Sequence, residues 1–135
     1  MTTQATWHEH VVGDLLTFSA PGPLTSADVQ GMDSAVGEWH GDGLVVRTDY
    51  GLFVDQLNRY QGRSHLQQFE ESIDQVPARI VSFDQPDGSH FTAVHFPAVP
   101  SSGPAPQKLT LVVIGTGQKT GADALRIVRS IRFRR

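Results

Sequence analysis

Apolar and polar residues alternate with a period of two along several short runs of this chain, each bounded by glycine, proline or aspartate. Residues 7–12 and 15–19 form two such runs around Gly13 and Asp14, a pair suited to a tight turn at positive φ. Ala20-Pro21-Gly22-Pro23 stops the second run, because proline cannot donate to a strand ladder. Residues 24–33 read as a polar surface loop. A second hairpin follows, with arms at 34–40 and 44–49 joined by the turn Gly41-Asp42-Gly43. In its first arm Ala35, Gly37 and Trp39 share one face, and Val36, Glu38 and His40 share the other.

The period changes over residues 50–71. Phe53, Val54, Leu57 and Tyr60 have helical spacing, as do Leu66, Phe69 and Ile73, so one or two short helices broken at Gly62 are predicted. Residues 80–83 and 91–96 then read as strands joined by the turn Asp84-Gln85-Pro86-Asp87-Gly88. A proline-rich connection fills 97–107. Residues 109–114 are the most apolar run, with Leu109, Leu111 and Val113 on one side and Val112 and Ile114 on the other. Such a strand belongs in the middle of a sheet covered on both faces. Thr120 with Asp123 suggests a capping box, opening a helix whose stripe is Ala124, Ile127, Val128 and Ile131, with Arg126 and Arg129 largely outside it. Neither a repeat nor a second composition regime interrupts the 135 residues, which predicts a single domain over 1–135.

Charge sharpens this picture. The net charge of −3 hides an acidic body followed by a basic end: Arg126, Arg129, Arg132, Arg134 and Arg135 close the chain, and no acid lies beyond Asp123. An acidic body argues against broad nucleic-acid binding, which needs a basic face to displace counterions. Three of the arginines are expected near a helix C-terminus, where the macrodipole favours cations. Cysteine is absent, which excludes disulfides, thiolate catalysis and Cys-based metal sites. No apolar run approaches the roughly 18 residues of a membrane span. Residues 1–7 lack the basic and apolar regions of a signal peptide. The expectation is a cytoplasmic protein if that N-terminus is native, or a periplasmic or secreted one if a signal or lipobox was removed.

Candidate chemistry is sparse. Gly115-Thr-Gly-Gln-Lys-Thr-Gly121 lies between a strand and a helix, but Gln118 separates Gly117 from Lys119 and Thr120 stands at the third glycine of a dinucleotide fingerprint, so no cofactor is expected. His8 and His10 lie on one side of a strand and are weak candidates for chelating a divalent ion, without a third ligand at a recognisable spacing. Ser89, His90 and Asp87 read as turn residues rather than a triad, and neither Glu70-Glu71 nor Asp84 with Asp87 marks a cleft. Trp39, Arg47, Asp49 and Tyr50 gather aromatic and charged groups around one hairpin and are the candidates for a ligand or partner surface, with His40 and Tyr60 nearby.

Three markers carry a resemblance: L-x-F-S-x-P-G at residues 16–22, Asp49-Tyr50-Gly51, and I-x-x-S-I-x-F at residues 127–133. The chain resembles the PsbP-like superfamily, in particular its small bacterial members, over nearly its whole length; Asp74-Gln75 stands where the resemblance would place an Asp-Gly turn. The resemblance implies an α+β fold, an antiparallel sheet covered by helices as an α/β/α sandwich, with the C-terminal helix packed on the sheet. It matches no functional residue onto this sequence, and fold alone does not fix function. The leading expectation is a non-enzymatic accessory domain that binds a protein partner. Its rivals are a small-molecule or metal-ion binding protein and, third, a hydrolase with a dispersed site.

Overall fold

The computed structural model describes residues 7–12, 15–27, 34–41, 43–51, 64–100, 107–116 and 121–133. Their elements are β1 (His8–Val12), β2 (Leu16–Ala20), β3 (Thr25–Ala27), β4 (Ser34–Gly41), β5 (Leu44–Gly51), β6 (Ser64–Ile73), β7 (Val76–Asp84), β8 (His90–Phe96), β9 (Lys108–Gly115), α1 (Gly121–Arg129) and β10 (Arg132–Phe133). Seven strands make one antiparallel sheet in the order β3-β4-β5-β9-β8-β7-β6, and three make a second in the order β1-β2-β10.

The apolar run at 109–114 is β9, fourth of the seven strands and flanked by β5 and β8. Its alternation sorts the large sheet into two faces. Leu109, Leu111 and Val113 lie in register with Val46 on one side and with Val94 and Phe96 on the other. This face forms the main core with Leu16, Phe18 and Ala20 of β2 and Ala124, Ile127 and Val128 of α1. Two aromatic contacts join the sheets across it: Phe18 meets Trp39 edge-on at 5.5 Å, and Phe96 meets Phe133 at 4.8 Å. The opposite face carries a smaller cluster of Val81, Phe83, Phe91 and Ala93, with Leu66, Val112 and Ile114 half-buried beside it.

The α/β/α sandwich expected from the resemblance is overturned. Among the described residues strand predominates and helix accounts for 9%, and the single described helix lies on one face of an antiparallel sheet, sharing that face with the small sheet. Residues 64–73, expected to be helical, are strand. Alternation in β6 sends Phe69, Glu71 and Ile73 to one face and Leu66 to the other, so the helical spacing was fortuitous. Thr25–Ala27 adds a short strand inside the expected loop, and β7 begins four residues before the expected run. The Gly13-Asp14 turn, Asp42, the helical spacing expected of Phe53, Val54, Leu57 and Tyr60, most of the proline-rich connection, the Thr120 cap, Arg134 and Arg135 lie outside the described residues.

Turn chemistry fixes the register of the β6–β7 hairpin. Asp74 and Gln75 adopt φ of 51° and 68°, a two-residue loop closed by the pair Ile73–Val76. The turn is therefore made without the glycine that usually supplies positive φ. Between β7 and β8, the amide of Gly88 donates to the Gln85 carbonyl at 3.0 Å, and Ser89 Oγ lies 2.6 Å from both Asp87 and Gln85. The Ser89 hydroxyl, and after it the Ser89 backbone N–H, donate to the Asp87 carboxyl and hold it below its ordinary range. The arginines at the chain's end are also engaged. Arg126 stacks over Trp7 at 4.0 Å, Arg129 pairs with Glu71, and Arg132 donates to the Arg129 and Ile131 carbonyls.

Candidate functional site

Strand alternation separates the four residues expected to form a ligand or partner surface. Trp39 is buried in the main core beneath β2, and Tyr50, on the same face, packs half-buried against that core. Arg47 and Asp49 point to the opposite face. There Arg47 is bonded across the ladder to Glu38, and His40 Nε2 approaches the other Glu38 oxygen at 3.1 Å. The Arg47 guanidinium and then the His40 ring hold the Glu38 carboxyl below its ordinary range. Asp49 lies opposite Thr110 of β9. The structure thus yields two half-sites on opposite faces instead of one cluster.

His8 and His10 do share a side of β1, opposite Ala20 and Phe18. His10 stacks on Phe18 at 5.3 Å, and its Nε2 is buried without a hydrogen-bond partner. A nitrogen closed off in this way cannot ligate an ion without the ring moving, while His8 is exposed. Among the described residues no group of three or more His, Asp or Glu side chains is arranged to hold a metal.

Two other constellations come from strand register, which the sequence does not display. The first is a polar row crossing the face away from the main core: Glu70 on β6, Arg79 on β7, His95 on β8, Thr110 on β9 and Asp49 on β5 are successive cross-strand neighbours. His95 and Thr110 are buried, 5% and 3% exposed, and bonded to each other at 2.9 Å, while Arg79 reaches Glu70 at 3.7 Å. At the β6 end of this row lies a cavity of about 320 Å³, walled by Glu70, Glu71 and Ser72 of β6, Pro77 and Arg79 of β7, and His95. That volume is at the lower end of small-ligand and side-chain pockets.

The second constellation stands at the far end of the same two strands, on the core face. Asp84 lies opposite His90, and Ser82 opposite Thr92. His90 Nδ1 is 2.9 Å from Asp84 Oδ1, His90 Nε2 is 2.8 Å from Ser82 Oγ, and Thr92 donates to Ser82 at 3.4 Å. His65 Nδ1 binds the second Asp84 oxygen at 2.6 Å. His90, and after it His65, hold the Asp84 carboxyl below its ordinary range. The motif S-x-D followed by a short turn and His was the available sequence signal. It pointed to residues 82, 84 and 90, whereas Ser89 and Asp87 proved to be internal to the turn.

Among the described residues no helix is long and apolar enough to cross a membrane. No protein-family model, curated protein or solved structure shows significant similarity to this chain.

Proposed function

We propose that this chain is a non-enzymatic accessory domain that binds a protein partner by accepting an extended segment along β6. The observation that carries this reading is the asymmetry of the large sheet's two margins. Among the described residues β3 is three residues long, whereas β6 runs for ten and has no strand on its outer side. A long edge with free amide and carbonyl groups invites strand addition, and neighbouring pockets for alternate side chains give such docking its specificity. The 320 Å³ cavity begins on this strand, at Glu70, Glu71 and Ser72.

The outward groups follow from the turn. Ile73 and Val76 close a two-residue hairpin, so they form a hydrogen-bonded pair, and alternation turns the backbones of Glu71, Phe69 and Gln67 toward β7. Those of Ser72, Glu70 and Gln68 then face outward. Pro77, opposite Ser72, agrees with this register, because its missing N–H costs the β6–β7 ladder nothing. Near the start of β6, His65 at φ of 55° and the register shift before Gln67 interrupt the edge, so the docking stretch is 67–72.

The test is a comparison of baits in a pull-down from the native organism. Gln68→Pro removes an outward donor and leaves the β7 ladder intact. A protein retained by the natural chain and lost with Gln68→Pro, at an unchanged melting temperature, supports the reading; equal capture by both ends it. A second reading, small-molecule binding in the same cavity, is favoured by the buried His95–Thr110 pair, and a co-purifying metabolite with no partner would select it.

A further inference from the structure

The Ser82–His90–Asp84 array has a directed hydrogen-bond order. A carboxylate only accepts, so with Asp84 ionised, both His65 and His90 must present Nδ1–H to it. Neutral His90 then carries no proton on Nε2, and Ser82 Oγ, 2.8 Å away, is left to donate to that nitrogen. Thr92 donates to Ser82 from the other side at 3.4 Å, which keeps the serine proton on the His90 bond. Hydroxyl to imidazole to carboxylate, with both links at hydrogen-bond distance, is the arrangement that activates a serine, and it is recognised by geometry and not by chain order.

The environment is graded in the same direction. Side-chain exposure is 83% for His65, 45% for Asp84 and 19% for His90, while Ser82 as a residue is 5% exposed. The His65 and Asp84 side chains are open to water, His90 is mostly covered, and the Ser82 hydroxyl beyond it is nearly buried, which favours a small acyl group over a bulky one. A contact serving packing alone would be met as well by Ser82 bonded to Thr92, without an imidazole fixed at both nitrogens.

We infer that Ser82 is an activated nucleophile that captures the acyl group of small, unbranched carboxylic esters. In the step, Ser82 Oγ forms a bond to the acyl carbon as the bond from that carbon to the alcohol oxygen breaks. His90 Nε2 takes the serine proton and delivers it to the departing alkoxide, so the products are acyl-Ser82 and the alcohol. Asp84 acts as a positioning residue that fixes the His90 tautomer. This inference uses atoms separate from the docking stretch at 67–72 and does not depend on it.

The probe is p-nitrophenyl acetate at neutral pH, with peptide mapping by mass spectrometry to locate acetyl groups. Ser82 should acquire acetyl about 10²-fold faster than Ser72, which is exposed, and Ser89, which is bonded to Asp87 but to no imidazole. These internal comparisons require no variant. His90→Gln should remove the difference, and Asp84→Asn should reduce it while shifting its pH profile, which loss of a structural bond alone would not do. Ser82 left unmodified, or modified no faster than Ser72, overturns the inference, as does equal labelling in a folded His90→Gln protein.

Discussion

The Asp74 carboxylate accepts the backbone N–H of Phe133 at 2.8 Å, although 59 positions separate the two residues. Asp74 therefore shapes the β6–β7 turn and also anchors β10, which joins the small sheet to the rest through Arg132 and Phe133 opposite Thr17 and Leu16. Asp74→Ala leaves a half-buried donor unpaired and should cost about 2 kcal/mol. Asp74→Asn keeps an accepting oxygen and a residue tolerant of positive φ, and should cost under about 1 kcal/mol. Urea unfolding separates the two, and equal losses would show that the carboxylate charge, which asparagine lacks, is what matters.

Gln75 holds φ of 68° with a side chain that contributes no described contact. An L-residue in this region costs about 1–2 kcal/mol, and glycine recovers part of that against its larger unfolded-state entropy. Gln75→Gly is expected to stabilise the protein by about 0.5–1 kcal/mol, seen as a later denaturation midpoint at constant slope. A lower midpoint would show that Gln75 makes a contact that matters.

Glu71 sits on the core face between Phe69 and Ile73, where a lone charge would be unfavourable, and Arg129 answers it with two bonds of 3.0 and 2.9 Å. The pair links α1 to β6 and is partly exposed, 52% at Arg129 and 27% at Glu71, so screening limits its worth. A double-mutant cycle with Arg129→Met and Glu71→Gln should give a coupling of about 0.5–1 kcal/mol that shrinks at high salt. Arg129→Met alone should cost more than Glu71→Gln alone, because it leaves the charge behind. The reverse order would mean that Glu71 reaches water unaided.

Glu71 also explains why β6 was hidden in the sequence. A period-two reading of 69–73 meets an acid at the central core position, and only the distant Arg129 makes that position acceptable. With Glu71 discounted, Leu66, Phe69 and Ile73 take on helical spacing. The hairpins at 34–51 and 80–96 and the helix stripe were legible because turn residues and apolar periodicity agree there. Site residues fared worse. Trp39 and Tyr50 are adjacent in sequence space to Arg47 and Asp49 but face the other way, and the Ser82–His90–Asp84 array emerges only when the β7–β8 register puts Asp84 opposite His90 and Ser82 two pairs further in.

Gly37 illustrates a requirement set by one neighbour. A Cβ at this position would lie 2.7 Å from Trp39 Cη2 and 2.8 Å from Thr48 Oγ1. Trp39 is held in place by Phe18 and the core, so its ring cannot retreat. Gly37→Ala should therefore destabilise the fold by about 1–3 kcal/mol with a changed near-ultraviolet spectrum from the displaced indole. An unchanged spectrum at full stability would show that the ring has free space beyond it.

Acid should act on this protein through Asp84 and Glu38 in particular. Their carboxyls are held below the ordinary values of 3.8 and 4.5, by His90 and His65 in one case and by Arg47 and His40 in the other. A carboxyl whose folded value is depressed contributes stability that is complete above its unfolded value and lost as the pH falls through the folded one. Melting temperature should accordingly fall as the pH drops below these ordinary values, with no loss from either group between there and neutrality. Asp84→Asn and Glu38→Gln, each less stable near neutrality, should converge on the natural chain as the medium becomes acid, because protonation removes the same interactions. Carbon-detected titration of the Asp84 carboxyl gives the direct check, and a midpoint at or above 3.8 would mean that neither imidazole donates to it in solution.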